Sequence, residues 1–134
     1  MRKGPRAYRM LYDAIIMSGV IIAVVDDMFF RSKIQAVAEA VGTEISFPRN
    51  KDALIQKARE AKPRLIIADL HNQKIDSATL ATELKSDEEL RSIQLLGFFS
   101  HVQTELQSNA MAAGFDQVIP RSVFARDLQK ILSA

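Results

Sequence analysis

The chain has no cysteine among its 134 residues, which excludes a disulfide framework, a thiolate metal site and a cysteine nucleophile. Histidine occurs twice, at His71 and His101. That is too few for a histidine-rich zinc site, and no nucleophilic triad follows from them. Glycine is scarce, five in all, and none forms a phosphate-cradling loop. Long apolar runs are missing as well. The one candidate, Ala14 to Val25, is divided by Ser18 and Gly19 and is too short to span a bilayer. What is present, 48% hydrophobic and 25% charged residues, is the composition of one compact domain with a core of ordinary size. A reducing, cytoplasmic setting suits it.

A sequence pI near 9.0 points towards nucleic acid. The basic excess is concentrated in the first 19 residues, where Arg2, Lys3, Arg6 and Arg9 face only Asp13. The remainder is close to neutral and implies no basic face, so neither nucleic acid nor a membrane is expected as partner. Residues 1–19 start positively like a signal peptide, but Asp13 interrupts them and their apolar stretch is short. They read as an extension, helical or disordered, ahead of a domain over 20–134. Met17-Ser18-Gly19 looks like an ordinary protein start, and the domain is expected to fold without the first sixteen residues.

From Val20 onward apolar runs of strand length alternate with helical spacing. Ile34, Val37, Ala38 and Val41 mark a first helix that stops at Gly42. Leu54, Ala58 and Ala61 mark a second, between the capping residue Asn50 and Pro63. Leu80 and Leu84 mark a third that starts at Asp76 or Ser77, with a polar surface continuation through SDEELRS. Leu106, Ala110 and Ala113 mark a fourth, closed by Gly114, and Phe124, Leu128, Ile131 and Leu132 a fifth, capped by Ser122. The strand runs are VIIAVV, TEISF, RLIIA, IQLLGFF and QVI. The first, third and fourth are apolar without alternation, as parallel strands covered on both faces must be, whereas TEISF alternates like an edge. The pattern predicts an α/β fold: a doubly wound, five-stranded parallel sheet in the order 2-1-3-4-5, a flavodoxin-like three-layer sandwich. That order sets the carboxyl ends of strands 1 and 3 side by side at the topological switch point.

Asp26 and Asp27 follow the first strand, Asp69 ends the third, Ser100 the fourth and Arg121 the fifth, all on one rim. Three carboxylates that close repel unless a cation or a shared proton joins them. Magnesium, which takes carboxylates, a carbonyl, water and a phosphoryl oxygen, is the economical solution. The acid pair in VVDD, the lone aspartate in IIADL, the hydroxyl residue in FFS and the basic residue after VIP resemble, in order and spacing, the receiver domains of two-component response regulators over residues 20 to 133. The resemblance implies a signalling module rather than an enzyme, and a phosphoprotein. Asp69 would accept a phosphoryl group from a histidine kinase or phosphotransfer protein. Magnesium would be held by Asp26, Asp27, Asp69 and the backbone carbonyl of His71. Ser100 and Arg121 would contact the phosphoryl oxygens. Output would pass to a protein partner, or to a second copy in a homodimer, through helix 4, strand 5 and helix 5, including Gln103, Glu105, Gln107, Arg121 and Arg126.

The pattern also departs from that family. Arg121 stands where the family has lysine, and Ser122 where proline follows it. An arginine there is placed to clamp a phosphoryl group or to lock onto Asp69 in the resting state. Val118 replaces a common aromatic residue, Gln73 and Ser77 replace a proline and a glycine, and His101 occupies a site that is usually small. These departures support a second reading, a phosphorylation-independent pseudo-receiver that binds proteins or dimerises. A phosphohydrolase using Asp69 on the same fold is disfavoured, because His71 stands where a second acid would be needed. Plainer roles compete for several of these residues: the acid pair as a cap on the following helix, and Phe98, Phe99 and the Leu106 to Ala113 stripe as core.

Overall fold

The computed structural model of the chain describes residues 19–100 and 104–133. The expectations placed on the extension through Ser18, on His101 and on Gln103 lie outside these residues. Five strands, β1 (Val20–Val24), β2 (Glu44–Ser46), β3 (Leu65–Asp69), β4 (Gln94–Phe99) and β5 (Gln117–Pro120), form one parallel sheet in the order β2-β1-β3-β4-β5. The helices are α1 (Met28–Ala40), α2 (Lys51–Ala61), α3 (Ser77–Lys85), α4 (Thr104–Ala113), α5 (Arg121–Arg126) and α6 (Leu128–Leu132). Layer, order and strand assignment are those the sequence predicts.

Local chemistry sets the helix ends. The Asn50 side chain accepts the Ala53 N–H at 2.8 Å and opens α2. Asp76 does the same for α3 through Thr79. Gly42 (φ 74) and Gly114 (φ 123) follow α1 and α4 in backbone conformations that favour glycine. Two expectations need correction. Ser122 is not a cap: α5 starts at Arg121 directly after Pro120, with no side-chain cap, and a bend at Asp127 separates it from α6. Hydrogen bonds run on across that bend, from Asp127 N–H to Val123 at 3.0 Å and from Ile131 N–H to Asp127 at 2.9 Å, so the two are one kinked helical arm. The polar continuation of the third helix is a turn rather than helix, and it buries Leu90.

Alternation along the strands divides the core in two. Ile22 and Val24 of β1 face α2, α3 and α4 together with Ile66, Ala68 and Leu95. Ile21, Ala23 and the following Val25 face α1, α5 and α6 with Ile67, Leu96 and Phe98. Both faces being apolar, β1 and β3 have no choice but the centre of the sheet, and their polar residues collect beyond its carboxyl edge. Gly97 matters to that edge. A Cβ there would come within 2.8 Å of Leu70 Cδ2 and 3.2 Å of Phe115 Cδ2, and Leu70 directly follows Asp69. Gly97→Ala is predicted to cost about 1–3 kcal/mol through overpacking, read as a lower urea midpoint at unchanged slope. An unchanged midpoint would show that Leu70 moves aside freely.

Candidate functional site

Register brings the rim together. Val24 of β1 lies beside Ala68 of β3, and Asp69 beside Phe98 of β4, so Asp26 and Asp27 emerge next to Asp69. Pairing of Phe99 with Pro120 sends Ser100 and Arg121 out side by side. Asp69 continues the Leu65, Ile67 parity onto the α1 and α5 face, where it is only 9% exposed. Its Oδ1 accepts the His71 N–H at 2.9 Å, and its carbonyl accepts the Asn72 N–H at 3.0 Å and the buried Ser77 hydroxyl at 3.5 Å. The Asn72 side chain then accepts the N–H groups of Lys74 and Ile75, at 2.8 and 3.0 Å, and holds the turn.

Burial pushes the Asp69 carboxyl above its ordinary range, and the charge of Asp26 adds to that. The His71 N–H and the charges of His71 and Arg121 oppose it. Asp27 is drawn the other way. The N–H groups of Phe30 and Phe29 donate to its Oδ1 at 3.1 and 2.9 Å, making it the cap of α1, while an Arg121 Nη donates to its Oδ2 at 3.3 Å. The Phe30 hydrogen bond and then Arg121 hold its carboxyl below the usual range. Asp26 is exposed and plays no part in the cap. The plain capping role therefore holds for Asp27 and not for its neighbour.

Arg121 has a second partner. Its Cζ sits 4.0 Å from the centroid of the Phe30 ring, a contact worth about 0.5–1 kcal/mol at a part-exposed site. Phe30 meets Phe98 and Phe124 edge-on, at 5.5 and 5.7 Å, and those two stack at 4.6 Å. The guanidinium thus lies on a rigid aromatic base and points at Asp27. Of the two roles expected for Arg121, a lock on Asp69 is not what the structure shows: Arg121 influences Asp69 only through its charge. Sequence reasoning missed Phe30. Its signal was the three-residue step from Asp27, which puts it on the buried side of α1 under the rim.

Hard oxygen donors are present in the kind magnesium uses. Their placement is another matter. Both Asp27 oxygens are engaged by protein groups, and among the described residues no three acid, histidine or cysteine side chains stand so as to hold an ion. The rim fits magnesium in chemistry but not in this arrangement.

No family model matches the chain. The response regulator VraR of Staphylococcus aureus is 34% identical over 94 residues, 70% of this chain, which spans 42% of that protein. The phosphorylated cyanobacterial phytochrome response regulator RcpA superposes with a TM-score of 0.72 at 21% identity, over 86% of this chain and 89% of its own. The receiver domain of a sensor histidine kinase from Pseudomonas aeruginosa, solved with magnesium in its cleft, gives 0.69 at 17% identity, over 86% and 98%. The fold is the receiver fold of response regulators. On this receiver fold Asp26, Asp27, Asp69, Ser100 and Arg121 share the rim, Ser100 being exposed just after β4. Val118 is half-buried against the α4 side of the core. Of the output residues, Glu105 and Arg126 are exposed, Gln107 is partly so, and Arg126 pairs with Asp127 at 3.0 Å.

A raised carboxyl pKa means that ionising Asp69 costs more in the fold than in the unfolded chain. Its effect on stability is absent below the ordinary carboxylate range and becomes a penalty as pH rises through the folded value. Asp69→Asn keeps an acceptor for the His71 N–H and removes that penalty. Its melting temperature is predicted to exceed the parent's by a few degrees at pH 7, with the gap closing towards pH 4, near the ordinary value for aspartate. A gap that widened on acidification would contradict the assignment.

Proposed function

We propose that the chain is a phosphoacceptor signalling receiver of a two-component system, with Asp69 as the acceptor. The observation that carries this is the buried Asp69 carboxylate, set at the switch point between an acid pair and a cation on a receiver fold. The donor is a histidine kinase or phosphotransfer protein. Oδ1 is held by the His71 N–H, so Oδ2 makes the attack. An oxygen–phosphorus bond forms as the nitrogen–phosphorus bond of the donor's phosphohistidine breaks, and the imidazole leaves with the electron pair and takes up a proton. A carboxylate is a modest nucleophile, so the protein's share is positioning and charge neutralisation. Ser100 would donate a hydrogen bond to one phosphoryl oxygen, and Arg121 would pair with another.

Magnesium is the cation these donors suit: Asp26, Asp27, Asp69 and the His71 carbonyl would hold it once Arg121 gives up Asp27. Bound there, it would neutralise charge on the transferring group. The new charge on Asp69 would draw Arg121 and bias the junction of β5 and α5, passing the signal to a protein partner, or to a second copy, through α4, β5 and α5. No helix among the described residues is long and apolar enough to cross a membrane, and we place the module in the cytoplasm with such kinases.

One observation favours a second reading. With Asp27 engaged at both oxygens, the module would also persist in one state, as a phosphorylation-independent pseudo-receiver. Incubation with acetyl phosphate and magnesium, followed by intact-mass measurement, separates the two. The first reading predicts the gain of one phosphoryl group that is lost in Asp69→Asn. No gain with small donors or a phosphorylated kinase would establish the second.

A further inference from the structure

We infer that Arg121 is a built-in competitor for the cation at the acidic rim, so that a divalent ion enters only by displacing its guanidinium from Asp27. Asp27 Oδ1 already carries two N–H groups of the α1 cap, so Oδ2 is the oxygen this residue has left for an ion. Arg121 holds that oxygen at 3.3 Å. An ion and a guanidinium cannot share it, because like charges at such separations repel. The surroundings favour the guanidinium. It is planar, weakly hydrated and permanently charged, and the Phe30 face at 4.0 Å, backed by Phe98 and Phe124, fixes it in position. Magnesium gives up its water reluctantly and gains nothing from an aromatic face. Asp27 is the recipient of this contact, and Phe30 acts as a positioning residue for Arg121.

Only the identity of the ion rests on the receiver reading, and the competition has its own measurement. Magnesium binding to the full chain is followed by titration calorimetry, with the magnesium-dependent rise in melting temperature as a second readout. Arg121→Ala is expected to bind roughly tenfold or more tightly than the parent. Arg121→Lys, which keeps the charge but loses the planar fork, is expected to fall between them and covers the case in which the alanine variant folds poorly. Equal affinity in all three proteins, or no binding in any of them, would overturn the inference. Intact mass after acetyl phosphate separates it from the acceptor assignment. Should Arg121→Ala bind the ion more tightly while neither it nor the parent gains a phosphoryl group, the competitor stands and Asp69 fails as acceptor. Should the parent take both as readily as the variant, the competitor fails and the acceptor stands.

Discussion

Two acids at the end of one buried strand and a third at the end of its neighbour need positive charge among them, and the chain supplies it from within. Arg121 meets that need at one edge, through Asp27 and the Phe30 ring. Asp69 lies deeper and feels Arg121 only through its charge, and burial first, with the charge of Asp26 adding to it, raises its pKa. The unequal treatment of two carboxylates on one rim sets up the functional question. One is paired with a guanidinium seated on Phe30, and the other is buried with one N–H on Oδ1.

The scaffold makes that arrangement durable. β1 and β3 are apolar on both faces and are locked at the sheet centre, so their terminal acids cannot drift apart without unpairing the sheet. The aromatic trio beneath Arg121 joins α1, β4 and α5, so the guanidinium rests on a base shared by three elements. Arg121 is also the first residue of α5 and follows the last of β5. It therefore stands at the junction of β5 and α5.

Most of the fold was legible because its signals are local: unbroken apolar runs for β1, β3 and β4, glycine after α1 and α4, and asparagine or aspartate ahead of α2 and α3. The end of the chain was harder. Apolar spacing from Phe124 to Leu132 carries no trace of the bend at Asp127, and Ser122 resembles a cap although Pro120 already fixes where α5 begins. At the rim, the sequence gathered Asp26, Asp27, Asp69, Ser100 and Arg121 on one edge, because parallel order alone dictates it. It could not say which carboxylate Arg121 would choose. That choice depends on the Phe30 ring, three residues beyond Asp27, whose apolar character reads as core until its face is seen to meet a guanidinium. Nor did it show that one acid of the pair caps α1 while the other stays in solvent.

The most direct measurement is a crystal structure of the full chain grown at physiological magnesium. The account predicts that Arg121 and an ion exclude one another at Asp27: wherever the guanidinium lies on Phe30 and at Asp27, no ion bridges Asp27 and Asp69. An octahedral ion held by Asp27 and Asp69 while Arg121 still donates to Asp27 would contradict it.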